Sequence, residues 1–496
     1  MKTKIFLAGS LLALGMASLT GCPTWVDGCA EGPCGTADGS TPETGPGPDV
    51  SIPDSGKDGD VPPPGCDSLN DPLKNPEKCF TDENWAYVSP SGDDGGAGTK
   101  GKPFKSLKKA LEGGKIRIAV CEGTYTESVE VTRDVTIQSG FSCDFTKAGA
   151  KAKVVGTKPD YAVSVAKPAG NVALRDLEVE ASDGTASSVN SVAIVANDVT
   201  KVTLIGVSAT AKKGFDGPAG AGGTTGVVSN LAAIGGTING YPATGNTTQG
   251  AGKSCVCSVG GTTSGGAGGG VSGNGQDGSP NVIGSGKAGT GGISCNGGGG
   301  GGDGATGTMG NVAPKQTSAG ALDGAVWRTS PGTSGEDGKS GQGGGGGGGR
   351  DATSAGGGGG CGGCGGSGGK GGGGGGASIA ILSASSGVVL EGSALKSGTG
   401  GTGGTGGTGG TGGTGGPGGN GGIAGCGGGE GGMGGGGGAG GGGAGGISYG
   451  IVYKGTKPVR TSTTVSAGTP GKGGANGAGV MEHGPAGTAG EELEAL

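Results

Sequence analysis

Ser378-Ile-Ala-Ile-Leu382 and, after a short turn, Val388-Val-Leu-Glu-Gly392 lead into a run from Thr399 to Cys426 in which every third residue is not glycine. The third residues are Thr399, Thr402, Thr405, Thr408, Thr411, Thr414, Pro417, Asn420, Ile423 and Cys426, and between them lies glycine with the single exception of Ala424. The first two segments have the length and the valine, isoleucine and leucine content of strands. The period of three belongs to neither an α-helix nor a strand, and it fits the three-residue turn of an extended polyproline-II-type helix.

Working outward, the strand pair recurs. Tyr161-Ala-Val-Ser-Val165 goes with Asn171-Val-Ala-Leu174, Ser191-Val-Ala-Ile-Val195 with Val202-Thr-Leu-Ile-Gly206, and Ser448-Tyr-Gly-Ile-Val452 precedes Val465-Ser-Ala-Gly468. Each copy reads as two strands and a turn. The turn is brief around Asp183-Gly184, and in the later copies it opens into glycine-rich sequence: Gly214 to Gly376, Gly398 to Gly446, and a tail from Gly468. Glycine-rich arms are therefore expected to leave a stack of coils from equivalent positions, with stacked strands about 4.8 Å apart.

The frame of three also runs through Cys361, Cys364, Ser367 and Lys370, and through Gly214 to Gly223 and Gly335 to Gly344. Collagen would need abundant proline and two non-glycine positions per triplet, and neither is present. A lone polyglycine-II helix has no internal hydrogen bonds and must pack laterally or stay disordered. A single-chain bundle and a hydrated glycine brush both fit, and both stay open at this level. Cys361-Gly-Gly-Cys364 lacks the second cysteine pair of a zinc ribbon, and the sole histidine is His483 in the tail. In a three-residue turn the two sulfurs stand about 9 Å apart, too far for a mutual disulfide. Their expected partners are among Cys255, Cys257, Cys295 and Cys426.

At the amino terminus Lys2 and Lys4 precede an apolar run from Ile5 to Met16, too short to span a membrane, that ends in Leu19-Thr20-Gly21-Cys22. This resembles the bacterial lipobox, which implies export, diacylglycerol on Cys22 and cleavage before it. Acyl chains on one residue anchor a protein stably without a transmembrane helix. Residues 23 to 65 carry nine prolines and eight acidic residues and read as an extended tether with a reach on the order of 100 Å. Within it Cys29 and Cys34 are expected to close a local disulfide loop. Loss of Lys2 and Lys4 takes the formal charge from -6 to -8, which argues against nucleic acid as a partner. Of 13 cysteines, twelve remain after Cys22, an even number in an oxidising compartment.

The ordered part is expected to begin near Cys66, which brackets a loop with Cys79 and is expected to pair with it. Ala86-Tyr-Val-Ser, the Gly-Asp-Asp loop at Gly92 to Asp94, Gly98-Thr99, Pro103-Phe104 and Leu107 to Leu111 follow, and then Val120-Cys-Glu-Gly-Thr-Tyr-Thr-Glu-Ser-Val-Glu-Val131. Residues 85 to 145 resemble the amino-terminal signature of pectin-lyase-like right-handed parallel β-helix proteins. That resemblance implies an all-β fold, with Gly-Thr-Tyr-x-Glu as a turn between two short strands. Cys121 and Cys143 are expected to staple the first coil to the next. The family's catalytic carboxylates, arginines and lysines have no counterpart here. The arms are similar in composition to the repeats of mycobacterial PE-PGRS surface proteins, without the helical PE domain, so no function follows from that likeness.

The expected organisation is a signal peptide (1–21), tether (22–65), cap and first coils (66–213), glycine-rich insertion (214–376), coil (377–397), period-three insertion (398–446), last coil (447–467) and glycine-rich tail (468–496). The leading expectation is a non-enzymatic lipoprotein of the outer membrane or cell surface, structural, adhesive or matrix-related, with no cofactor and no metal. The competing one is a β-helix that binds or degrades polysaccharide. Asp93 and Asp94 between glycines suit a turn better than a cation or sugar site. Arg175 and Asp176, taken as neighbours in one strand, would point to opposite faces. Three tryptophans, six tyrosines and six phenylalanines leave few stacking platforms for sugar rings. His483 is expected to be solvated. The threonine edge, if ordered, forms a row at about 9 Å intervals, and Gly273-Asn-Gly-Gln-Asp277 lacks the tandem copies of a calcium-binding repeat.

Overall fold

The structure, a computed structural model, describes residues 62–481 and 483–495. Cys22, Cys29 and Cys34 lie outside those residues. The fold is nearly all β and rests on three parallel sheets. Sheet 1 has seven strands: Trp85–Val88, Arg117–Cys121, Val135–Phe141, Asn171–Arg175, Lys201–Ile205, Val388–Glu391 and Val459–Thr461. Sheet 2 has six: Gly123–Thr126, Ala152–Val155, Leu177–Glu180, Ser208–Thr210, Ala394–Lys396 and Thr464–Ser466. Sheet 3 also has six: Val129–Val131, Val163–Ala166, Ser191–Asn197, Ser378–Ala384, Ser448–Lys454 and Ala489–Glu494. From Arg117 onward the chain visits sheets 1, 2 and 3 in that order and returns to sheet 1 beside the strand it left, so each circuit stacks on the last.

Parallel register brings like residues into columns. Ile194 pairs with Val163 and Ile381, and Ile381 with Ile451. Leu204 pairs with Leu174 and Leu390. All of these residues are at most 4% exposed, and full burial of each such side chain contributes about 1.5–3 kcal/mol. Sheet 3 is buried on both faces in its longest strands, which is why Ser191–Asn197 and Ser378–Ala384 read as continuous apolar runs.

Each circuit holds three strands, not the expected two. The pair legible in the sequence is a sheet 3 strand and the following sheet 1 strand. The third, such as Ala394–Lys396, is three residues long with one buried position, too short to rise above its surroundings. Gly123–Thr126, expected as a turn, is likewise a sheet 2 strand whose Tyr125 is buried.

Two corners turn on single residues. Asp176, Gly206, Gly392 and Ser462 follow the registered residues Arg175, Ile205, Glu391 and Thr461, and all four have left-handed φ between 47° and 62°. Asp198, Ser385 and Gly455 form a second such column after Asn197, Ala384 and Lys454. One left-handed residue redirects the chain between extended segments, and Asp and Gly tolerate that conformation best. Asp176 is therefore a corner residue, which corrects its placement in a strand with Arg175.

The third corner, from sheet 2 to sheet 3, is where the arms leave. Its neck is held by buried serines that begin the sheet 3 strands. Ser378 Oγ donates to Lys212 O at 2.6 Å and accepts from Gly398 N at 2.8 Å. Ser191 Oγ accepts from Lys212 N at 2.8 Å, and Ser448 Oγ donates to Gly398 O at 2.6 Å. Each hydroxyl ties an outgoing arm to a sheet 3 strand, and Ser378 and Ser448 begin strands on which an arm returns.

The amino-terminal end is closed by a helix, Leu107–Glu112, whose Leu107 and Ala110 enter the core. A disulfide-linked aromatic cluster caps the outer side of sheet 1, with Phe80, Trp85, Tyr87, Phe141 and Phe145 packed around Cys66–Cys79.

Candidate interaction surface

The arms are ordered. They run as extended rods that carry hydrogen bonds to their neighbours at every third residue. In the rod of residues 355–376, Gly360, Gly363, Gly366 and Gly369 donate to the carbonyls of Gly429, Gly432, Gly435 and Gly438 at 2.8–3.0 Å. The same rod accepts from Gly410, Gly413 and Gly416 of a second rod, and from Gly338, Gly341 and Gly344 of a third. Ser367, Lys370 and Gly373 donate to Thr224, Ala221 and Pro218 of a fourth. Residues 355 to 366 are buried throughout.

Glycine is required by this approach of backbones. A Cβ on Gly363 would stand 2.0 Å from Gly413 O, with no flexible side chain to give way. Packing follows: a rod with neighbours all round must be glycine on every face, and side chains are confined to faces turned outward.

The two interior cysteines obey the same rule by exception. The rod that begins at Gly214 donates to Thr399, Thr402, Thr405, Thr408 and Thr411, and the pattern resumes with Gly240 to Pro417. Between them residues 227–237 leave the lattice, and a hairpin, Ser254–Val256 and Thr262–Ser264, lies against the central rod. Cys255 bonds Cys361 and Cys257 bonds Cys364, with Cα atoms 6.2 and 5.2 Å apart. Thr263 Oγ1 donates to Gly362 O at 2.9 Å. Cys295 bonds Cys426. Cys66 with Cys79 and Cys121 with Cys143 complete the described disulfides.

The outward face of the rod from Thr399 presents Thr399, Thr402, Thr405, Thr408, Thr411, Thr414, Pro417 and Asn420, all exposed. Three residues of such a rod span about 9.3 Å. Neighbouring rods lie alongside and share this face: Thr225 Oγ1 and Thr411 Oγ1 are 2.9 Å apart, and Thr469 Oγ1 donates to Thr399 Oγ1 at 3.3 Å. The result is a regular hydroxyl-bearing surface on a frame of backbone hydrogen bonds.

Sheet 3, by contrast, presents no open outer face near the arms. A second hairpin, Gly320–Asp323 and Val326–Thr329, lays Leu322 and Trp327 over Val192, Val195, Ile379 and Leu382. Asn190 Nδ2 donates to Trp327 O at 2.8 Å and fastens it.

The remaining candidates have local duties. Asp94 accepts from the amides of Lys105 and Ser106 at 2.9 Å and from Ser106 Oγ at 2.9 Å, so it secures the entry to the capping helix. Those hydrogen bonds hold its carboxyl below the usual range against the opposing effect of burial, which is the largest single influence. Asp93 accepts from Gly95 N at 3.1 Å in its own turn. Asp277 binds Lys287 Nζ and Ala288 N, and Asn274 accepts from Gly291 N. His483, expected to be solvated, is half-buried: its imidazole lies against Gly441 and its Nδ1 is buried without a hydrogen-bond partner. The segment from Gly468 is not a tail either. Gly471, Gly474 and Gly477 donate to Gly446, Gly443 and Gly440, and Ala489–Glu494 pairs with Ser448–Lys454 in sheet 3. Among the described residues no cluster of His, Cys, Asp and Glu could hold a metal ion, and no helix is long and apolar enough to cross a membrane.

No protein-family model and no curated protein matches this chain.

Proposed function

We propose that this chain is an exported, non-enzymatic surface protein anchored by lipid at Cys22, with an outer-membrane or cell-surface location and a structural or adhesive role in a matrix. In this proposal the three sheets form a right-handed parallel β-helix of pectin-lyase type, and the arms form a polyglycine-II bundle carried on its side. The observation that supports a scaffold most directly is the composition of the bundle's interior. It is filled by backbone and sealed by disulfides, so rigidity and a repeating outer face are what so much glycine achieves. The covered face of sheet 3 also favours a scaffold over a degrading enzyme.

Cells expressing the full chain test this. Fractionation with radiolabelled palmitate should place the protein in membranes, and Cys22→Ala should release it and abolish the label. Deletion of residues 399–446 should reduce cell-to-cell or cell-to-surface attachment while the protein remains anchored. Retention of full attachment by that deletion removes the adhesive role.

A further inference from the structure

The sulfur of this chain is divided between two environments. All the described cysteines are closed in disulfides, and Cys255, Cys257, Cys361, Cys364 and Cys426 of the bundle are buried. The thioethers lie outside. Met1 and Met16 precede Cys22, and the remaining three methionines, Met309, Met433 and Met481, are 77%, 55% and 75% exposed. Methionine is ordinarily among the most buried residues, so none of these three serves a core. Met309 and Met433 share one face. Gly307 donates to Met433 O at 2.7 Å and Gly310 to Gly436 O at 2.9 Å, so the two rods run side by side and Met309 falls between those contacts. Met309 Cε lies 3.9 Å from where a Cβ on Gly436 would stand. The exposed Val312 follows one turn later on the same rod. Met481 follows the exposed Val480 and stands two residues before His483, whose ring lies against Gly441 on the rod that carries Met433.

The lattice explains this placement. A Cβ on Gly435 would stand 2.0 Å from Thr308 O, so a long side chain fits only where a rod faces outward, and there the neighbouring rod offers glycine and no side chain to cover it. A thioether left open in this way is open to oxidants, since susceptibility follows exposure. The sulfur takes the terminal oxygen of a hydroperoxide: an S–O bond forms, the O–O bond breaks, sulfur is oxidised by two electrons and the peroxide is reduced to water or an alcohol, its leaving oxygen taking up the proton. The product is a polar sulfoxide, which sulfoxide reductases return to the thioether. The same oxidant finds no free thiol among the described residues. The frame itself is backbone hydrogen bonds and closed disulfides, and it contains none of the reacting groups.

We propose that Met309, Met433 and Met481 are modification sites for oxidants of the hydroperoxide class, and that their sulfoxidation turns an apolar face of the bundle polar while the bundle stays folded. This goes beyond the scaffold reading and depends on neither the anchor at Cys22 nor an adhesive role.

Full-length protein in detergent is treated with dilute hydrogen peroxide and followed by peptide mass spectrometry, Tm and hydrogen exchange. Each of the three methionines should gain one oxygen at a rate within about threefold of that of the same peptides released by proteolysis, because nothing covers the sulfur. Leu204→Met puts a thioether of similar volume into the core of the stacked circuits, and that sulfur should react roughly tenfold more slowly or less. The peptide comparison decides by itself if Leu204→Met folds poorly. Tm and the exchange protection of 427–446 should be the same before and after oxidation, and reductases for the two sulfoxide epimers should restore the original mass. The inference is overturned if the three methionines react as slowly as the buried thioether of L204M or more than tenfold below their free peptides, if oxidation lowers Tm or the protection of 427–446, or if the reductases fail to restore the folded protein.

Discussion

The stacked circuits and the glycine bundle are built from one chain and have opposite interiors. In the circuits, side chains fill the space: the columns through Ile194 and Leu204 exclude water, and the backbone pairs along the strands. In the bundle there is no side chain to bury, and carbonyls and amides of neighbouring rods fill the space themselves. A hydrophobic core tolerates adjustment because rotamers can shift. A backbone lattice has no such freedom, since a single Cβ meets a fixed carbonyl oxygen. The bundle should therefore be the more fragile region to a small substitution, although its residues are the smaller.

That contrast can be broken by Gly363→Ala. With the added Cβ 2.0 Å from Gly413 O, the expected destabilisation exceeds about 4 kcal/mol. Hydrogen exchange should show lost protection across 399–423 while Ser448–Lys454 stays protected. Gly436→Ala, where the nearest backbone atom would be 3.4 Å away, serves as its control and should leave protection intact.

Removing both members of the inner staple, Cys257→Ser with Cys364→Ser, should cost about 2–5 kcal/mol and admit protease within 227–262. In the circuits, Ile381→Ala removes a fully buried side chain and should cost about 2–5 kcal/mol, read as a lower denaturant midpoint. If this change is more damaging than Gly363→Ala, the ranking of the two interiors is reversed. At the boundary between them, Ser378→Ala strips the hydroxyl bridging Lys212 O and Gly398 N and should cost about 1–3 kcal/mol, with exchange quickening first at the necks of the arms.

The smallest effect is a titration in the circuits. Hydrogen bonds from Ser142, and then from Thr146, hold the Asp144 carboxyl at about 2 against an ordinary 3.8. A folded-state value below the unfolded one means its contribution is complete above the ordinary value and lost as pH falls through about 2. Carboxyl chemical shifts should report that midpoint, and Ser142→Ala should move it upward; an unmoved midpoint would show that the hydroxyl is not its cause.

Legibility differed between the same two regions. Strands such as Ser191–Asn197 and Ser378–Ala384 were readable because burial on both faces leaves an uninterrupted apolar run. Ala394–Lys396 was not, because one inward leucine in three residues carries no period. The corner role of Asp176 was hidden as well: an aspartate after a strand is common, and only stacking with Gly206, Gly392 and Ser462 shows its left-handed turn.

The period of three from Thr399 to Cys426 was determined by sequence alone, but a brush and a bundle both fitted it, and the ordered rod with its outward threonines was decided by packing against neighbouring rods. Which rod lies against which was decided only in three dimensions. Glycine carries no side chain to encode a partner, so neighbours follow from the stacked necks at Ser191, Ser378 and Ser448 that launch the arms side by side. The pairing of Cys361 with Cys255, and of Cys364 with Cys257, has the same origin: the lattice opens at 227–237, and the hairpin placed there brings in the sulfurs.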